Sequence, residues 1–446
     1  MKPRRETAAT IRDGARPSAA PGTASSLLIR IATIVGWALV SVFVVTVVIT
    51  GGVSAHVGAF QFAYAVGFCG YLALIWAVWR GGGGGWGRWK WWVGGCIVLR
   101  AALLTTQPSD DLNRYLWEGR VQLAGFSPFV LAPDDPRLAH LRDDNWRKIN
   151  HPDYSAIYPP LAQLEFAAAA ALMPSVYTLK GLHVVADALV VVVLALCLRR
   201  MGRTPQAVVA YGLCPLVLTA FAIEGHVDSL MLLAAAAALG AAAGGRWVFA
   251  GAMLGAAVSA KLVFVVLLPW LALRHPRGAA AAVCVAAATY LPFVDGGAGQ
   301  LAILARFAAA GEFFSLLGTF HVTGYDTAAA RAVVMVVGAA VLIWLARRHR
   351  EWVDFSHDAC AALIILMPVV HYWYLTWVML FMPFKPRARW IAAAWAMVTY
   401  FEANKRFYGS GQWEMPRWAP LAVWTAFLIA WGAELVAQRE RSHQVS

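Results

Sequence analysis

Along this chain, long apolar runs alternate with short polar clusters from Leu27 almost to the C-terminus. Runs near the ~20 residues that cross a hydrocarbon core as one helix predict spans over about 27–50, 58–79, 91–106 and 178–198. Further runs at about 206–222, 228–244, 278–293, 327–346, 357–371, 373–384, 390–403 and 417–437 continue the pattern. The block 247–273 is interrupted by Lys261 and is read as a hairpin of two short arms rather than one span. The polar segment 107–177 is the main exception: a large loop with helices expected over 110–124 and near 143–149. Within it only thirteen residues separate Pro160 from Pro174, and Gln163 and Glu165 lie among them. At 1.5 Å per residue that is about 20 Å, against ~30 Å for a crossing, so an interfacial or re-entrant helix is expected. The predicted fold is all-α and polytopic, with about 12–14 transmembrane segments. One membrane domain is expected over 27–437, flanked by a disordered basic tail (1–26) and a short tail (438–446).

Composition agrees: 60% of residues are hydrophobic and 14% charged, so a soluble globule is excluded. The net charge of +13 raises nucleic acid as a partner, but its distribution argues for a bilayer. With both termini placed in the cytoplasm, 22 of the 37 Lys and Arg fall in segments on that side, as the positive-inside rule demands. The hairpin and the non-crossing short helix are what keep Arg199, Arg200, Arg203, Arg274 and Arg277 inside. Segment 107–157 carries eight acids against six bases and is expected outside. The six cysteines are scattered singly through apolar runs and read as small buried hydrophobes. The glycine run 81–85 lacks a following Lys-Ser/Thr, so no phosphate loop is expected there.

Several polar groups converge on the outer face in this topology: Asp110 and Asp111, the "EGHVD" turn with Glu224, His226 and Asp228, Lys261, and "HYWY" beginning at His371. Each has a plainer alternative. The two aspartates can cap the helix that begins at Leu112, and the EGHVD turn can be solvated. A metal site from that turn is weak, because ExHxD supplies no strong ligand set. Lys261 either snorkels or meets an anion, and Tyr372, Trp373 and Trp377 read as an interfacial belt. His183 and Asp187, one turn apart, read as a structural contact within the membrane. Taken together, acids, a lysine and aromatics at one membrane face suit a lipid phosphate with a polar head. A carboxylate there would deprotonate a hydroxyl while a cation stabilises the departing phosphate.

"SDDLNRYLWEGRVQLAGFSPF" resembles the opening motif of the GT-C superfamily of membrane glycosyltransferases, and "YPPLAQLEFA" the short juxtamembrane helix in the same loop. "CPLVLTAFAIEGHVDSLMLL", "GAAVSAKLVFVVLLP" and "HYWYLTWVMLFMP" resemble later family segments in the same order. The likeness spans about residues 90–390 and is closest to bacterial polyprenol-phosphate-mannose-dependent α-mannosyltransferases. It implies inverting transfer of a hexose, expected to be mannose, from a polyprenyl-monophosphate donor to a cell-envelope glycan or glycolipid, outside the inner membrane. Asp111 is implied as general base, by the Tyr115 that follows it, with Asp110 as second choice. Glu224, His226 and Asp228 would touch sugar or acceptor hydroxyls. Lys261, helped by Arg114 or His371, would hold the phosphate, and Tyr115, Glu118 and Tyr158 would line the site. Some relatives have Lys where this chain has Tyr158. No metal or other cofactor is expected, and the oligomeric state is open. Two other readings compete: a transporter or flippase for a lipid-linked sugar, and a noncatalytic lipid-binding relative.

Overall fold

The structure, a computed structural model, describes residues 23–54, 56–81, 88–309, 311–322, 327–410 and 413–445. Nearly all of the N-terminal tail, and most of the glycine-rich basic loop, lie outside the described residues. The described chain is α-helical, with no named strand and only isolated bridges between Phe313–Phe314 and Val369.

α1 (Thr23–Thr50) and α2 (Val57–Arg80) form an antiparallel pair, and α3 (Trp89–Ala102) leads through a 3₁₀ turn to the diacid. α4 (Asp111–Leu123) and α5 (Pro160–Leu172) are the two loop helices, joined by a segment with 3₁₀ turns at Pro136–Leu141 and Trp146–Lys148. Pro160 at the first position of α5 starts that helix with the fixed φ it needs. The two cross so closely that a Cβ on Gly119 would lie 2.2 Å from the Phe166 carbonyl oxygen, so only glycine fits there. α6 (Val176–Arg200) is capped by Ser175, whose hydroxyl accepts from the Tyr177 amide.

Beyond it the expected span 206–222 is broken. α7 (Val209–Gly212) and α8 (Pro215–Val217) flank Cys214, which Pro215 forces into an extended conformation. The two halves of this segment bend by 57°. A π-helical turn, Leu218–Ile223, follows and ends at Glu224; such turns recur at functional sites.

α9 (Asp228–Ala243) and α10 (Trp247–Ala260) lead to Lys261, where an extended backbone ends the helix. The chain then returns through a 3₁₀ turn and α11 (Leu268–Arg274), so that Trp247 stacks on His275 at 3.7 Å. The start of α10 thus lies beside the end of α11, as a hairpin with Lys261 at its tip requires. α12 (Pro276–Thr289) then runs parallel to α10, with Gly251 against Gly278 and Gly255 against Ala282. α13 (Gly297–Ala309) and α14 (Leu316–Thr319) precede α15 (Ala328–Arg348) and α16 (Trp352–Leu366). α17 (Thr376–Met379), α18 (Ala388–Ala396), α19 (Glu402–Ser410) and α20 (Trp418–Val445) complete the chain. α20 continues as helix through most of the segment expected as a tail.

The all-α, multi-pass membrane class is as expected, but fewer of the predicted runs form a single long helix. Among the described residues five helices are long and apolar enough to cross (α1, α2, α6, α15 and α20), or six if the bent 205–223 pair counts as one. α5, α9, α10 and the stretch Leu262–Arg274 are apolar but shorter. The difference from 12–14 has a physical source. An apolar run is not a continuous helix where Pro215, Lys261 or the segment before Tyr372 interrupts it. Irregular backbone at that depth must be enclosed by protein rather than exposed to lipid, and residues 207–223 are buried throughout.

These breaks give the helical body two unlike ends. Thr106, Lys180, Asp228 and Lys261 lie at one. Arg199 and Arg200, Arg246, Arg274 and Arg347 lie at the other, where Arg274 donates to the His349 carbonyl.

Candidate active site

The diacid lies on a strap between α3 and α4 that is fixed at several points. Gln107 N–H donates to Gly51 O (2.8 Å), and Ser109 N–H donates to Glu224 O (3.0 Å). The second bond stitches the diacid strap directly to the EGHVD turn. Asp110 takes the N-cap position of α4 without a side-chain capping bond. The only side-chain oxygen facing the Asp111 amide is the Ser109 hydroxyl, at a long 3.4 Å. Capping therefore does not account for the aspartates, and both carboxylates face the site.

Asp111 accepts from Asn150 Nδ2 (2.9 Å) and lies 3.4 Å from His226 Nδ1. The opposite ring nitrogen, Nε2, lies 3.3 Å from Glu224, which also accepts from the Tyr372 hydroxyl. Burial raises the pKa of Asp111, but the contacts with His226 and Asn150 outweigh it and hold the group at about 2. Asp110 keeps an exposed surface, yet desolvation by the protein packed around it, with the charges of Asp111 and Glu224, pushes its pKa up to about 6. His226 is raised to about 9: burial lowers it, and the two carboxylates more than compensate. The imidazole of His226 stacks on Trp373 (4.0 Å), and the ring of His371 also stacks on Trp373 (4.4 Å).

Lys261 lies in the adjoining part of the cluster. Its ammonium donates to both oxygens of Asp228, each at 2.9 Å, and faces the rings of Tyr374 (4.6 Å), Trp377 (5.3 Å) and Tyr158 (5.7 Å). Trp377 Nε1 donates to Asp228 as well (2.7 Å). Ser259 and Thr289 share a hydroxyl hydrogen bond, and Ser259 also accepts from Leu161 N–H, tying α5 to the ends of α10 and α12. Tyr158, Tyr374 and His371 each feel the charges of both Asp111 and Asp228, which makes the two halves one electrostatic unit. Asp111, Glu224 and Lys261 keep 21%, 13% and 13% of their side chains accessible.

Other expected site residues have different neighbours. All five guanidinium N–H groups of Arg114 are occupied, by Glu118, by the carbonyls of Asn150 and His151, and by those of Tyr154 and Ser155. Glu118 also accepts from Gln163. This pair clamps the 150–155 segment onto α4 and has no donor left for a phosphate. Tyr115 is fully buried, stacked on Phe166, with its hydroxyl on that of Tyr158 (3.0 Å). Asp228 has no exposed surface, so it holds Lys261 rather than a sugar hydroxyl. His226 is likewise enclosed, at 1%. Tyr372, Trp373 and Trp377 are not an interfacial belt; they line the inside of the cluster.

Sequence reasoning missed Asn150, Tyr400, which bonds His371 Nδ1 (2.8 Å), and Lys180. Lys180 donates to Leu103 O, Thr106 O and the Thr106 hydroxyl, fastening the diacid strap from α6. Its position three residues before His183 and seven before Asp187, on one helix face, was the available signal. His183 bonds Gly225 O (2.6 Å) and faces Glu165, while Asp187 pairs with Arg100 and Tyr211 rather than with His183. Among the described residues no group of three His, Cys, Asp or Glu is placed to hold a metal. A separate cavity of about 560 Å³, lined by Trp247, Trp270, Arg274 and Trp352, lies at the basic end and holds none of these acids.

Residues 19–277, more than half of the chain, match the family described as alpha-(1->6)-mannopyranosyltransferase, N-terminal domain. The chain belongs to that family. The match includes every acid of the cluster and Lys261, and stops short of the 371–377 segment. No individual curated protein matches the chain. Mannosyl transfer at a membrane is the activity that family membership supports for this mannosyltransferase.

Proposed function

We propose that the protein transfers mannose from a polyprenyl-monophosphate carrier to a hydroxyl of a cell-envelope glycan or glycolipid. The reaction takes place on the extracytoplasmic face of a bacterial inner membrane. Both termini then lie in the cytoplasm, with the basic helix ends beside them. The observation that carries the reading is the pairing of an accessible diacid with a partly accessible lysine in one connected cluster. One group suits a proton and the other a phosphate.

In an inverting displacement the acceptor oxygen attacks C1 of the sugar as the bond from C1 to the phosphate oxygen breaks. The hydroxyl proton passes to the diacid, and the polyprenyl phosphate leaves with the bonding pair. Resemblance points to Asp111 as the base. The physical chemistry favours a division of labour in which Asp110, more exposed and with the higher proton affinity, receives the proton. Asp111 stays ionised and orients the acceptor. Lys261 has one N–H beyond the two that Asp228 accepts, and that N–H faces the leaving phosphate. Its charge is already balanced by Asp228, which suits a monophosphate better than a diphosphate.

The test is transfer from radiolabelled polyprenyl-phosphate-mannose by purified protein. Lys261→Gln should raise KM for this donor roughly tenfold, the loss of one charge-assisted hydrogen bond. Transfer from a nucleotide-diphosphate mannose, with none from the lipid donor, would overturn the reading.

A further inference from the structure

The family match covers His226, yet a side chain with 1% accessibility cannot reach a sugar. Its position poses a different question. Both ring nitrogens face carboxylates: Nδ1 faces Asp111 at 3.4 Å and Nε2 faces Glu224 at 3.3 Å. A neutral imidazole has one N–H and one lone pair, so it would present that lone pair to one of the two anions. The doubly protonated ring suits both: Nε2 hydrogen-bonds Glu224, while Nδ1, enclosed and without a hydrogen-bond partner, lies in charge contact with Asp111. The flat stack on Trp373 at 4.0 Å adds attraction between a cation and the indole face.

We propose that His226 is a fixed imidazolium, a positioning residue that holds the Asp111 and Glu224 carboxylates apart and ionised, leaving Asp110 as the proton acceptor. This rests on the diacid reading above and assigns His226 no contact with substrate.

The charges around it are consistent with this role. Asp110 and Asp111 face it from the strap and α4, Glu224 from its own turn, and His371 from beyond Trp373. Lys180 of α6 lies behind Glu224, and Tyr372 donates to the same carboxylate. Three carboxylates therefore gather around one enclosed imidazole. Without its charge they would repel one another, and one would take up a proton. The sign is clear. A group with a raised folded-state pKa keeps its stabilising charge below its ordinary value, near 6.5, and loses it as pH rises through about 9.

The decisive experiment is a pH titration of the full-length protein in nanodiscs, with ring-¹⁵N histidine followed by NMR. One histidine should stay doubly protonated to about pH 9. Its signal should be missing from His226→Gln and should titrate lower in Asp111→Asn. In the kinetic arm, His226→Gln should move the acid limb of kcat/KM, near pH 6, upward by about one unit and erase the alkaline limb. His226→Lys, which keeps a cation, should restore the acid limb. A merely structural role would lower activity without moving either limb.

A spectrum in which every histidine is neutral by pH 8 overturns the proposal, as does a His226→Gln profile with both limbs in place. If neither variant folds, the wild-type titration decides alone. If the wild type does not use the lipid donor, the donor reading fails while the NMR titration still tests His226.

Discussion

α6 and the strap-and-turn cluster both hold charged side chains within the protein, and they treat them in opposite ways. On α6, Lys180, His183 and Asp187 share one face, and none has any accessible surface. Lys180 has all three donors placed, and Asp187 has Arg100 on one oxygen and Tyr211 on the other. Around Asp110, Asp111 and Glu224 the carboxylates are only partly enclosed. Fully paired, enclosed charge fits a scaffold, and charge left partly open fits the proposed chemistry.

The two regions should therefore fail differently. The largest effect is expected for Asp110→Asn: turnover should fall by about 10²–10⁴, the usual worth of a general base, with the melting temperature unchanged. A melting temperature that falls in step would move Asp110 to the scaffold side. Asp187→Leu comes next. It strands Arg100 without its counter-charge, at a cost of about 3–5 kcal/mol, and the double change Arg100→Met with Asp187→Leu should recover most of it. Thermal unfolding in detergent reads both.

Lys180→Met links the regions. It should cost about 1–3 kcal/mol by leaving the Thr106 carbonyl without its Lys180 donor, while Leu103 O keeps the Thr106 amide and hydroxyl, and should slow turnover by loosening the diacid strap. A loss of stability with full turnover would show that the strap holds itself. Tyr158→Phe removes only the hydroxyl pair with Tyr115. About 0.5–1.5 kcal/mol of stability is the expected change, again by thermal unfolding.

Much of this was legible in the sequence. α1, α2 and α6 follow directly from run length, and the thirteen residues between Pro160 and Pro174 did mark a helix too short to cross. Lys261 identified the hairpin because a lone ammonium in an apolar run needs a helix end. What stayed hidden depends on distant pairing. Arg114 reads as a phosphate ligand until the 150–155 segment folds back and, with Glu118, occupies every N–H. Asp228 reads as a sugar contact until Lys261 and Trp377 close over it. Lys180 and Arg100 lie inside apolar runs where a lone charge is a strong sign, and their partners, Thr106 and Asp187, are 74 and 87 residues away.

The segment 371–377 lies outside the matched N-terminal domain, yet it supplies the ring under His226, the hydroxyl on Glu224 and the indole N–H on Asp228. An N-terminal half ending near residue 277 would carry every acid of the cluster and still lack these three partners. Co-expressed halves, cut between α12 and α15, are the form in which such a division could regain activity.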